Sequence, residues 1–300
     1  MFYSIARRVF VGLLALIALF ANWRATPTKE NTPQDAVSVV YDDSAFGDVK
    51  VFLPEDVKDG ADVVFMIHGG AWLFGNAGMF YENCREAVQA GYIAASVNYS
   101  KLQNGAAAAD MVGQIGKALT ALHRALTEKG IKPGKLIMAG HSAGAHLMLL
   151  YAYSHDADCP FDIAFVVSNC AAFDFLSDAR TKKTTIGKNA YLLLSALTKE
   201  LVTPLTLERN ETVKTAVAAV TPLTYVTPQV PPTIVVQGTN DEMIPYQNSV
   251  ALYEALQSCG VDSVHITYEG AGHFLGKDFP EANAARTAAF EAFAQKYCQP

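Results

Sequence analysis

The stretch "KLIMAGHSAGAHLMLL", residues 135–150, constrains this chain more than any other. An apolar run ends at Ala139, then come Gly140-His141-Ser142-Ala143-Gly144, then an apolar helical pattern. A serine flanked by glycines two positions away on each side fits a tight strand-to-helix turn that pushes the serine Oγ into the open. Side chains at 140 and 144 would collide with the neighbouring strand and helix, so both positions are glycine. The N-terminus of the following helix also presents partial positive charge to an anion forming at Ser142.

The same alternation continues along the chain. "VSVVY" and "DVKVFLP" read as an opening hairpin or meander. "ADVVFMI", "YIAASVN", "KLIMAG", "IAFVVSN", "TIVVQG" and "VHITYE" read as buried strands rich in Val and Ile. Helical patterns fill the intervals at about 79–90, 109–129, 143–154, 246–259 and 280–297. The second has Met111, Ile115, Leu119 and Leu122 on one face, with Asp110 as its expected cap. Strands alternating with helices predict a mostly parallel twisted sheet covered on both faces. The alternation breaks at about 175–225, where only helical pieces near Tyr191–Leu197 and Glu211–Val220 are legible. That segment is an insertion, either a lid over a site or an embellishment.

Serine needs a base, and the base needs an orienting acid. Of seven histidines, His273 stands in the glycine-rich "EGAGHFLG" after the last strand, where functional groups gather in parallel folds. His265 lies inside that strand, His123 and His146 on helices, His155 in a polar loop, and His68 and His141 in motif loops. Asp241 follows the strand "TIVVQG", with Glu242 as the adjacent alternative. Ser142, Asp241 and His273 therefore stand on three loops in the order nucleophile, acid, base. "HGGAW", residues 68–72, ends an early strand with little side-chain bulk. Bare N–H groups at Gly70 and Ala71, with that of Ala143, suit the roughly two or three donors that a tetrahedral oxyanion requires. Trp72 and Phe74 follow, and bordering the mouth and packing in the core are equal readings for each.

"HGGAW", "ASVNYS", "GHSAGAH", "GTNDEMIPY" and "GAGH" together resemble the esterase branch of the α/β-hydrolases. The nearest resemblance is to hormone-sensitive-lipase-like and bacterial feruloyl-esterase-like carboxylesterases, over about residues 38–298. It implies an α/β-hydrolase fold with a small helical cap at about 175–225, and carries the family's catalytic roles to Ser142, Asp241 and His273. Its oxyanion donors carry to Gly70, Ala71 and Ala143. Ala71 stands where the family often has a third glycine, which argues against bulky tertiary-alcohol esters. The implied substrate is a small-molecule carboxylic ester, cleaved through an acyl-enzyme without metal or organic cofactor. An amidase or formamidase with the same triad, a membrane-anchored lipid or prenyl esterase, and a non-catalytic binding protein are the rival readings.

Composition bounds the rest. Half the chain is hydrophobic, 51% of 300 residues, so a large core is available. The net charge is −6 and no basic cluster stands out, which excludes a phosphate-backbone binder. Arg7 and Arg8 precede an apolar stretch, Val9–Ala21. This layout predicts a signal peptide or N-terminal membrane anchor over residues 1–25, and hence export. Residues 26–37 read as a linker, and 38–300 as the catalytic domain. Export permits disulfides. Of five cysteines, Cys259 and Cys298 both close C-terminal helices and are the expected pair; free thiols are the alternative. Oligomeric state is not legible.

Overall fold

The computed structural model describes residues 31–154, 158–177 and 183–298. The proposed leader, the first residues of the linker and His155 lie outside them.

Eight strands form one sheet: β1 (Val37–Val40), β2 (Asp48–Phe52), β3 (Val63–Ile67), β4 (Ile93–Val97), β5 (Leu136–His141), β6 (Ile163–Asn169), β7 (Thr233–Gly238) and β8 (Ser263–Tyr268). Their order is β1-β2-β4-β3-β5-β6-β7-β8. β1 pairs antiparallel with β2, and β2 with β4; every other pairing is parallel. The opening hairpin and the mostly parallel sheet are thus as the sequence predicts. The central strands are apolar on both sides because helices cover both faces; all five residues of β3 are buried.

The pleat divides the core in two. Val63, Phe65 and Ile67 of β3 belong to one cluster and Val64 and Met66 to the other. On the first face pack α2 (Ala108–Glu128), α3 (Ala143–Ser154) and α7 (Tyr246–Ser258). On the second pack α1 (Tyr81–Gln89) and α8 (Pro280–Tyr297). Met111, Ile115, Leu119 and Leu122 make the expected buried stripe of α2. Asp110 is not its N-cap. Ala107 holds that position and Asp110 is the third helical residue, its carboxylate accepting the Ala107 N–H at 2.7 Å.

Among its described residues the insertion carries the helices α4 (Thr185–Thr198), α5 (Pro204–Arg209) and α6 (Glu211–Ala219), followed by a 3-10 turn at Pro222–Tyr225. Ile186, Leu193, Leu194, Leu197, Val213 and Val217 drive it into the first core cluster. α4 begins six residues before the legible piece because Thr184 caps it, accepting the Gly187 N–H at 3.3 Å. α5 is legible in hindsight from Thr203, a capping residue, followed by proline at the first helical position.

Cysteines 84, 159, 170, 259 and 298 are all free thiols. The expected Cys259–Cys298 bridge does not form: Cys259 ends α7 against the first core cluster, and Cys298 follows α8 against the second. Similar positions at helix ends hide the fact that the two helices cover opposite faces.

Register brings the loops together. Ile67 pairs with Gly140, Gly140 with Ser168, Ser168 with Val235, and Val235 with His265. The chain therefore leaves β3, β5, β6, β7 and β8 at one edge of the sheet, where parallel folds place their sites.

Candidate active site

β5 and α3 meet at Ser142, whose φ is +57°. A non-glycine residue in this left-handed region is strained, and such strain persists only where its surroundings enforce it. Here the Ser142 N–H donates to Asn169 O at 2.8 Å, and Ser142 O accepts the His146 N–H at 3.0 Å. The flanking glycines are required. A Cβ on Gly140 would lie 2.6 Å from Ala145 Cα, and one on Gly144 2.1 Å from Ile67 O.

The loop after β8 delivers His273, which is 1% exposed. Its Nε2 lies 2.9 Å from Ser142 Oγ and its Nδ1 lies 2.8 Å from Asp241 Oδ2. With Nδ1 protonated toward the carboxylate, Nε2 is left to accept from the serine hydroxyl. Asp241 is held on every side. Its Oδ1 accepts the N–H groups of Met243 and Ile244 at 2.8 and 2.9 Å, and Oδ2 also accepts Gln237 Nε2 at 2.6 Å. Glu242 instead accepts the backbone N–H of His273 at 3.4 Å. It fixes the loop rather than the ring.

The "HGGAW" turn runs against this group. A Cβ on Gly69 would come 3.2 Å from Ser142 Cβ. Gly70, Ala71 and Trp72 all have positive φ, +118°, +54° and +60°. Gly70 O is turned into the loop and accepts the N–H groups of Leu73 and Phe74 at 3.0 and 2.9 Å. Ala143 opens α3, and N–H groups in the first turn of a helix have no intrahelical acceptor. Two adjoining left-handed non-glycine residues were not foreseen in the sequence, since nothing but the small size of Ala71 hints at them.

Trp72 takes the core reading. It is 1% exposed, and its indole N–H donates to His146 Nδ1 at 3.2 Å. Phe74 is half-buried, packed against the same cluster. The exposed aromatic at this edge is Phe274, 61% exposed, stacked on His141 with ring centroids 5.7 Å apart. Nothing in the sequence around Phe274 marks it as exposed at the site.

His141 donates its Nε2–H to His273 O at 2.9 Å. Burial, then the charge of His273, pushes its pKa down to about 4. Cys170, at φ +50°, follows β6 at the same edge. Burial and then the Asp241 carboxylate raise its thiol well above the usual range. His141, Cys170 and His273 have ligand atoms within 4.8 Å of one another. As a metal site the set fits poorly. His273 is engaged by Ser142 and Asp241, His141 by a carbonyl, and the thiol is held protonated.

Chemically, a hydroxyl bonded to a buried, carboxylate-oriented imidazole beside a turn of small residues is equipped for acyl transfer. The BD-FAE family model matches residues 49–256. A probable isoprenylcysteine alpha-carbonyl methylesterase of Oryza sativa is 23% identical over 244 residues, covering 79% of this chain and 57% of that protein. Esterase LipQ of Mycobacterium tuberculosis is 27% identical over 205 residues, 68% of this chain and 48% of that protein. The chain thus spans about half the length of these curated relatives. Among solved structures, a truncated carbohydrate esterase from gut microbiota superposes with a TM-score of 0.69 at 17% identity, covering 89% of this chain and 100% of that one. Propionate-bound esterase 2 of Thermogutta terrifontis gives 0.66 at 20% identity, covering 88% and 94%. At these identities the likeness is one of fold, the α/β-hydrolase fold.

Proposed function

The chain belongs to the BD-FAE family, and from that premise we propose that it is a serine carboxylesterase hydrolysing small or medium carboxylic esters through an acyl-enzyme. The observation that carries this is the continuous Ser142–His273–Asp241 chain of hydrogen bonds, 2.9 and 2.8 Å, at a strained elbow. In the proposed cycle Ser142 Oγ attacks the ester carbonyl while His273 Nε2 takes its proton. Asp241 holds the Nδ1–H tautomer and stabilises the imidazolium. The N–H groups of Gly70, Ala71 and Ala143 receive the oxyanion; losing one such donor costs about 2.7–4 kcal/mol of barrier. Collapse expels the alcohol, which takes the proton from Nε2. Water, deprotonated by the same nitrogen, then attacks the acyl carbonyl, and collapse releases the acid as Nε2 returns the proton to Ser142 Oγ. Esterases among the relatives and structural neighbours support the ester over the amide.

The test is turnover of p-nitrophenyl acetate, butyrate and laurate by the protein and its Ser142→Ala variant. Turnover that disappears in the variant supports the reading, and equal turnover ends it. A second reading, a prenylcysteine methyl esterase, is favoured by the names of four relatives, all isoprenylcysteine alpha-carbonyl methylesterases, three of them probable. Preference for farnesylcysteine methyl ester over p-nitrophenyl butyrate would select it. Among the described residues no helix is long and apolar enough to cross a membrane. Export through the segment 1–25 remains part of this proposal, and N-terminal sequencing of the mature protein tests it.

A further inference from the structure

His146 is fully buried one helical turn beyond Ser142, and it touches three separate parts of the molecule. Its Nδ1 accepts the Trp72 indole N–H at 3.2 Å. Its Nε2–H donates to Val220 O at 2.8 Å, where the insertion ends after α6. Its backbone N–H donates to Ser142 O at 3.0 Å. Phe175 packs against both rings, 5.8 Å from Trp72 and 5.5 Å from His146. One imidazole therefore links the elbow helix, the turn of small residues and the end of the insertion.

The link falls where the backbone most needs one. Ala71 and Trp72 are consecutive left-handed non-glycine residues, each costing of order 1–3 kcal/mol and persisting only where the surroundings hold it. Trp72 is gripped at two points, its carbonyl by the Leu102 N–H at 2.9 Å and its indole by His146. The grip requires a bare Nδ1, hence a neutral ring. Burial supplies that, pushing the His146 pKa down to about 4.

We propose that His146 is a positioning residue for the proposed reaction: by holding Trp72 it sets the Gly70–Ala71 donors relative to Ser142 and couples that setting to the insertion. This rests on the esterase reading. Positions matter at this level because displacement of about 1 Å in a reacting array costs on the order of 100-fold in rate.

The experiment compares wild type, Trp72→Phe, His146→Leu and His146→Gln, with active sites counted by fluorophosphonate titration. Trp72→Phe keeps an aromatic ring but removes the donor together with part of the buried ring volume; glutamine at 146 can both accept and donate. The expected result is a kcat loss of about 10- to 100-fold in Trp72→Phe and His146→Leu, with KM little changed. His146→Gln restores most of kcat. The indole N–H resonance of Trp72, assigned by its loss in Trp72→Phe, shifts and loses exchange protection in His146→Leu, and recovers in His146→Gln. Lower melting temperatures with unchanged kcat per titrated site would overturn the proposal, as would an indole resonance indifferent to residue 146. Trp72→Phe keeps the test decisive if His146→Leu fails to fold. If the wild type turns over no ester, the esterase reading falls, and the indole resonance alone decides whether His146 holds the turn.

Discussion

Adding one methyl group at Gly144 tests whether the elbow is built as described. The new Cβ would stand 2.1 Å from Ile67 O and 2.4 Å from His68 O, both backbone atoms that no rotamer change can move. Ordinary contact begins near 3.4 Å, so α3 and the end of β3 must separate by about 1.3 Å. Overpacking of this kind costs about 1–3 kcal/mol. For a domain of this size that is a fall in melting temperature of about 2–12 °C. The same displacement moves Ser142 away from the turn at 68–72, and about 1 Å of misalignment costs on the order of 100-fold in kcat/KM. Gly113→Ala is the control. It lies in α2 with nothing within 4 Å of its added Cβ, and alanine is favoured over glycine in a helix by about 0.8–1.0 kcal/mol. Calorimetry and ester kinetics on both variants should therefore move in opposite directions for stability, with activity lost only at 144. A Gly144→Ala protein with wild-type melting temperature and kcat/KM would refute the packing argument.

Three further outcomes follow from the geometry. Asp241→Asn leaves His273 in the wrong tautomer and should lower kcat by about 10⁴-fold with little change in KM, measured by steady-state kinetics. His146 and His141 are held neutral in the fold, with pKa values near 4, below the usual 6.5 of an unfolded histidine. The unfolded chain thus binds more protons between about pH 6.5 and 4. Stability should be level above that window and fall through it on acidification, by up to about 1.4 kcal/mol per pH unit for each histidine. Denaturant melts across this range check the slope, which should be shallower in His146→Gln. Five free thiols predict five equivalents in a denatured thiol titration of the full chain and a melting temperature indifferent to reductant.

Much of this was legible in the sequence because the strands are written in Val and Ile. "VVFMI" and "TIVVQG" can only be buried strands in a chain whose helices alternate with them. The proximity of Ser142, Asp241 and His273 was legible because parallel strands deliver their following loops to one edge. What escaped depends on which face, or which depth, a residue reaches. Trp72 beside two glycines reads equally as wall or core. Its burial and its indole bond to His146 decide it. Cys259 and Cys298 both end helices, yet periodicity cannot say that those helices lie on opposite sides of the sheet. Gln237 reads as one more strand residue, although its side chain reaches Asp241 at 2.6 Å. Phe274 escaped because apolar residues in loops are common, and its exposure beside His141 is a fact of tertiary structure.

The most direct test of the central claim is to trap the proposed nucleophile, Ser142. The protein is incubated with a fluorophosphonate, digested, and its peptides weighed. The account predicts one adduct, on Ser142, formed rapidly by the wild type, slowed by Asp241→Asn and absent from Ser142→Ala. An adduct on another residue, or a folded protein that ignores the reagent while hydrolysing esters, would contradict it.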